Sequence, residues 1–136
     1  MVLFNRFFSP DIDVDYFYVS AANRFSSPDE YVKPLRYMAL LSPKVQCSLA
    51  ASTGIHHGNS LIKQLLAGAD AVQVVSTLYL NGIDYIPNLL SDLEKWMYNK
   101  RYNSINQFKG KMNYNNIANP AVYERMQFMK HYGRIG

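Results

Sequence analysis

Cysteine is nearly absent: Cys47 stands alone in 136 residues, which excludes an internal disulfide and suits a reducing, cytoplasmic setting. No apolar run reaches the length of a membrane span, and the opening MVLFNRFF lacks the layout of a signal peptide. Charged residues are sparse, at 18% against a hydrophobic share of 49%, the balance of a globular domain with a sizeable core. Internal repeats, low-complexity segments and RNA- or DNA-binding motifs are missing. The net charge of +4 is uneven: residues 1–90 carry six Lys/Arg against seven Asp/Glu, and residues 91–136 carry eight against three. The basic residues of the tail are scattered among Tyr and Asn, so they read as a solvated surface and not as a nucleic-acid patch.

Metal ligation has little support either. Asp11, Asp13 and Asp15 have the spacing of a calcium loop, but no Gly or terminal Glu follows where one is needed. The alternation with Ile12 and Val14 reads instead as a strand or hairpin over DIDVDYFYVS. His56 and His57 find no third ligand at a suitable spacing and read as surface or rim residues. Cys47, in the apolar run CSLAAS, reads as a buried inert thiol.

What is present centres on Ala50 to Leu78, AASTGIHHGNSLIKQLLAGADAVQVVSTL. The run Cys47–Ser52 predicts a strand that stops at Thr53-Gly54. A helix follows, with Asn59 as N-cap, Leu61, Ile62, Leu65, Leu66 and Ala69 on its apolar face, and Gly68 closing it. Ala71–Val75 predicts a second strand, β-branched and buried on both faces, ending at Ser76-Thr77. Strand, helix, strand at this spacing is a βαβ unit, so the strands should be parallel and both turns should open at one edge. Ligands of parallel α/β folds sit beyond the carboxyl ends of the strands. Backbone amides, hydroxyls and no nearby carboxylate favour an anion there, most often a phosphate; the same residues also serve as plain turns.

The flanks extend the pattern. VLFNRFF predicts a core strand from the second residue with no lead-in, and places Asn5 at its end. After the hairpin, Ser27, Pro28 and Glu30 form a capping box for a helix running to about Leu41, in which Pro34 makes a kink or marks the real start. A further helix spans about Asp84 to Asn99, with Ile83, Ile86, Leu89, Leu90, Leu93, Trp96 and Met97 apolar. Ser104 caps a short helix, and Pro120 opens a last one, AVYERMQFMKHY, with Met126 and Met129 apolar and His131 given no role. Three βα units with a phosphate-type site after the last two strands predict an α/β fold: the C-terminal half of a TIM (β/α)8 barrel, strands six to eight, plus a helical tail. The predicted organisation is a half-barrel over 1–100 and a tail over 101–136, packed on the barrel or on a partner.

Three segments in order carry a resemblance over nearly the whole chain: FNRFFSPDID, SLAASTGIHHGNSLIKQLLAGADAVQVVSTLYLNG, and EKWMYNKRYNSINQFKGKM with NPAVYERMQFMK. The sequence resembles the C-terminal half of flavin-dependent dihydroorotate dehydrogenases, in particular their bacterial dihydroorotate dehydrogenase-like branch. The middle motif is shared by many FMN barrels, whereas the first and last are much more specific. The resemblance implies an FMN phosphate bound by Ser52-Thr53-Gly54 and Ser76-Thr77, and orotate contacted by Asn5. Thr53 departs from the family's two adjacent glycines, and its Cβ narrows the backbone options. The resemblance also implies that the catalytic base, the flavin-contacting lysine and further substrate asparagines lie in an N-terminal half. This chain would then hold the phosphate end of the cofactor and no catalytic residue, in an oxidation of dihydroorotate to orotate.

Two other readings stand beside it. A half-barrel leaves strand edges and an apolar face open, so the chain could be a non-catalytic module that self-associates and binds a phosphate-bearing ligand or none. A glutamate-synthase-like or dihydrouridine-synthase-like barrel would share the middle motif but not the tail.

Overall fold

A computed structural model describes residues 1–6, 9–22 and 24–125. Three short parallel strands form its sheet in the order β1 (Val2–Leu3), β4 (Ala50–Ala51), β5 (Ala71–Val72). Between β1 and β4 lie an antiparallel hairpin, β2 (Pro10–Asp13) and β3 (Tyr18–Ala21), and the helix α1 (Val32–Leu41). The helix α2 (Gly58–Ala67) joins β4 to β5. Beyond β5 come α3 (Ser76–Asn81), a 3-10 turn at Ile83–Tyr85, α4 (Ile86–Lys100), a second 3-10 turn at Ile105–Gln107, and α5 (Ala121–Glu124). The mixed α/β architecture and the parallel βαβ unit agree with the sequence.

The strands are shorter than the apolar runs predict. At the ends of the ladder Ala50 N donates to Met1 O, Ser52 N to Leu3 O and Gln73 N to Ala51 O, each at 2.8–2.9 Å. Cys47 falls before β4 in an exposed bend, so the expectation of a buried thiol is corrected. The chain there is committed elsewhere: the Leu49 amide donates to the Asp70 carboxylate at 2.8 Å. The expectation that Ala71–Val75 is buried on both faces also fails. Ala71, Gln73 and Val75 are exposed, because β5 is an edge strand with β4 as its one partner among the described residues.

Helix ends follow local chemistry in most places. α1 starts at Val32 with Pro34 in its first turn, where a missing N–H costs nothing. Of the capping box, the Glu30 carboxylate accepts from the Ser27 amide, but a turn over residues 28–31 separates the pair from the helix. α2 begins at Gly58 after His57, so Asn59 lies inside the helix and is not its cap. The reason is packing: a Cβ on Gly58 would stand 2.3 Å from Asp92 Cβ, so glycine lets α2 meet α4 closely. Gly68, at φ 118°, closes α2 in the left-handed conformation, as predicted. α4 agrees with the predicted span, has a proline in its first turn, and ends at Arg101 in the left-handed region. α3 stands where the sequence predicts a turn and a short LYLNG segment.

Two apolar clusters hold these pieces together. Leu3, Met38, Ala39, Leu49, Ala51, Ala67 and Ala69 pack α1 and α2 onto the sheet. Ile55, Leu61, Ile62, Leu65, Leu89, Leu93 and Phe108 pack α2 against α4, with Trp96 and Tyr102 beside Phe108. Phe108 comes from beyond α4. Its segment is further tied by Gly110 N to Leu65 O, Met112 N to Leu66 O and Tyr114 N to Ala39 O. Ser104 and Gln107 form a reciprocal capping box on the second 3-10 turn. The predicted last helix is described through α5, ending at Glu124; Met126, Met129 and His131 lie outside the described residues.

The hairpin 10–21 stands apart in character. Ile12, Val14, Tyr16, Phe17 and Val19 are all exposed. Among the described residues no group of three metal-capable side chains converges, and no helix is long and apolar enough to cross a membrane.

Candidate functional site

The carboxyl ends of the three parallel strands open into one cleft. It has a volume of about 250 Å³ and draws Asn5 and Arg6 from the end of β1, Ser52 to Ile55 from β4, and Gln73 to Ser76 from β5. Arg24 and Ser26, from the segment between β3 and α1, form its remaining wall. The prediction that both turns open at one edge is met by this convergence. Among the described residues no carboxylate lines the cleft, whereas two arginines do.

Backbone chemistry sets each turn. Gly54 has φ 78°, and a Cβ there would lie 2.2 Å from the Tyr31 amide nitrogen, so the turn is pressed against the entry to α1. Thr53 has φ 86°, a conformation that disfavours a β-branched residue; its hydroxyl donates to Phe4 O at 3.0 Å. That is the physical content of its departure from a second glycine. The Ser52 and Gly54 amides are engaged within the fold, by Leu3 O at 2.9 Å and Ser26 Oγ at 3.3 Å. The amides of Thr53, Ile55, Ser76 and Thr77 have no acceptor among the described residues. Backbone donors left unpaired near a concave surface are available to an anion.

Of the residues singled out from the sequence, Asn5, Ser52, Thr53, Gly54 and Ser76 line the cleft. Thr77 does not. It is wholly buried beneath the turn, where its hydroxyl and carbonyl oxygens both accept from Asn81 Nδ2 at 3.1 Å. Asn5 is exposed and also lines a second, larger hollow of about 680 Å³ shared with Arg6, Glu30, Arg36 and Tyr37.

Sequence reasoning missed four residues. Arg6 pairs with Glu30 at 2.9 Å. Burial pushes the Glu30 carboxyl up, but hydrogen bonds from Arg6 and the Ser27 amide, with the Arg6 charge, outweigh it and hold the group below its usual range. Ser26 is buried and stitches the site together: its amide donates to Ser76 Oγ at 2.9 Å, and its hydroxyl lies 3.1 Å from His56 Nε2. His56 is buried, which corrects its reading as a surface or rim residue, whereas His57 is exposed. The His56 carbonyl accepts from the Tyr85 hydroxyl at 3.0 Å, fixing the turn to the start of α4. These side-chain contacts join residues 24 to 50 positions apart, so no local pattern betrays them. Arg24 had one signal, its place just before the capping-box segment that folds onto the turns.

Cys47 lies at the opposite, amino end of β4, beside Asp70 and Lys109. It is remote from the cleft.

Similar proteins bear one name. The chain is 34% identical over 90 residues to the dihydroorotate dehydrogenase (fumarate) of Lachancea kluyveri, covering 62% of this chain and 28% of that protein. It is 30% identical over 91 residues to a probable dihydroorotate dehydrogenase A (fumarate) of Streptococcus pneumoniae, covering 62% and 29%. It is 29% identical over 110 residues to the dihydroorotate dehydrogenase (fumarate) of Saccharomyces cerevisiae, covering 76% and 34%. No protein-family model matches the chain. The chain thus spans about a third of the length of the relatives it matches. Over that segment its sequence is similar to fumarate-type dihydroorotate dehydrogenases of yeasts and streptococci.

Proposed function

We propose that this chain is the FMN-phosphate-binding segment of a dihydroorotate dehydrogenase-type oxidoreductase, acting on dihydroorotate in pyrimidine biosynthesis in the cytoplasm. The observation that carries the reading is the carboxylate-free cleft shared by the carboxyl ends of β1, β4 and β5 among the described residues. Its chemistry fits a phosphate: two guanidinium groups, the Ser52 and Ser76 hydroxyls, and unpaired amides at Thr53, Ile55 and Ser76. Under this reading β1, β4 and β5 are strands six to eight of a (β/α)8 barrel, residues 1–100 form its half, and residues 101–136 pack as a tail upon it.

FMN, when bound, supplies the acceptor for a hydride from the substrate. The residues of this chain bind and orient. Ser52 and Ser76 offer hydroxyls, and Thr53 and Ser76 amides, to the phosphate end, while Gly54 shapes the turn; Thr77, buried outside the cleft, supports the second turn through Asn81. Ser76 Oγ, already accepting from the Ser26 amide, keeps its proton to donate. Asn5 faces the junction of both hollows, where a polar side chain can bond a substrate ring. Under this reading the proton-accepting base comes from outside this segment.

A second reading, a half-barrel that self-associates without catalysis, is favoured by the exposed apolar hairpin and by Tyr79 and Leu80 on α3, Ile83 on the 3-10 turn and Leu90 on α4. The test is a flavin absorbance spectrum, near ~450 nm, taken with a sizing column, with FMN and riboflavin offered in parallel. Retention of FMN but not riboflavin supports the phosphate site. Equal retention of both, or of neither, would sink the first reading in favour of the second.

A further inference from the structure

We propose that Arg24 and the segment carrying it complete the anion site, so that the cleft selects a doubly charged phosphate monoester. The inference deepens the phosphate reading above and rests on it. Charge accounting points to Arg24. Arg6 is offset by Glu30 at 2.9 Å, no carboxylate lines the cleft, and Arg24 has no ion pair or hydrogen bond among the described residues. Arg24 is therefore the cleft's uncompensated positive charge.

The segment is held on both sides of that residue. Before it, the Ala22 amide donates to Ser9 O at 2.8 Å and closes the base of the hairpin. After it, the Phe25 ring packs on Tyr79 of α3 with centroids 5.5 Å apart. Next in the chain, buried Ser26 bonds Ser76 through its amide and meets the Gly54 amide and His56 Nε2 through its hydroxyl. Ser26 thereby touches the turns after both β4 and β5, the two that the anion would contact. An arginine presented from a segment fixed in this way loses less freedom on binding than one on a free loop. A guanidinium paired with a dianion gives charge-assisted, bidentate hydrogen bonds, which a neutral ligand cannot use.

The test titrates wild type, Arg24→Gln and Arg24→Lys with inorganic phosphate, followed by 31P line broadening, and with FMN and riboflavin, followed by flavin fluorescence. Wild type is expected to bind phosphate and to prefer FMN over riboflavin. Arg24→Gln should weaken phosphate and FMN about tenfold and leave riboflavin unchanged; Arg24→Lys should keep part of the affinity. Added salt should weaken wild type more than Arg24→Gln, because an exposed charge is screened. Because the Arg24 side chain is exposed, thermal melts of the three proteins should coincide. Wild-type preference for FMN retained in Arg24→Gln would overturn the role of Arg24 and leave the flavin reading standing. Phosphate binding lost in Arg24→Gln, with no FMN preference in wild type, would support Arg24 and overturn the flavin. No phosphate binding by wild type would overturn the anion site itself.

Discussion

Thr53 and Gly54 are adjacent, both have positive φ, and they differ in what a side chain meets there. At Gly54 a Cβ would collide with the backbone of Glu30 and Tyr31, at 2.2–2.8 Å, which only movement of the α1 entry could relieve. Gly54→Ala should therefore lose about 2 kcal/mol or more of stability. At Thr53 the cost of a β-branched residue at φ 86° is already present, of order 1–3 kcal/mol. Thr53→Gly removes it, but gives up the hydroxyl bond to Phe4 O, about 1 kcal/mol, and adds chain entropy of about 0.5–1 kcal/mol. The two effects nearly cancel. Denaturant melts should place Thr53→Gly within about 1 kcal/mol of wild type and Gly54→Ala far below it; the reverse order would discredit the backbone account of this turn.

Elements are joined by a few bonds that titrate. The Asp70 carboxylate accepts from Lys109 at 2.6 Å and from the Leu49 amide at 2.8 Å, linking the start of β5 to β4 and to the segment beyond α4. The Lys109 bond and then the Leu49 amide hold this carboxyl below its ordinary value of 3.8. Glu30 is likewise held below 4.5. The sign follows from protons bound: both groups bind them more weakly folded than unfolded, so stability falls on acidification. Their contribution is present above 3.8 and 4.5 respectively, and disappears as pH drops through the lower folded values. Asp70→Asn should flatten the acid limb of a melting-temperature profile. Its cost near pH 7 should be about 1 kcal/mol, modest because the pair is partly exposed. Phe108 holds α2 and α4 together through packing, as a buried ring against Trp96 and Tyr102. Phe108→Ala should cost about 3–5 kcal/mol and loosen α4 from α2. Hydrogen exchange across 86–100 reads this directly, and unchanged protection there would contradict it.

At the scale of the molecule, the sheet has few strands and much uncovered surface. β1 and β5 each pair on one side among the described residues, and Val75, Tyr79, Leu80 and Ile83 beyond β5 are exposed. Open edges and contiguous apolar surface favour pairing with another polypeptide. Isolated, the chain should elute above its 15.6 kDa monomer mass on sizing, and Ile12→Lys with Val19→Lys should reduce that association without lowering the melting temperature. Sharp elution at the monomer mass at every concentration would argue that the apolar surface is tolerated in water.

Local signals determined a large part of this protein. Pro34 in its first turn marked the start of α1, Gly68 closed α2, alternation gave the hairpin, and short apolar runs ending in small residues gave a parallel βαβ unit with its turns at one edge. Those features depend on neighbours within a few positions, which a sequence displays. Only the tertiary structure decided the rest. Asn59 yielded the start of α2 to Gly58 because helix α4 approaches there, and Cys47 left the strand because Leu49 bonds Asp70. His56 became buried, and Ser26 and Arg24 joined the cleft, through contacts spanning about 30 to 50 positions. Such contacts arise when separate elements pack, and residue order carries no local mark of them.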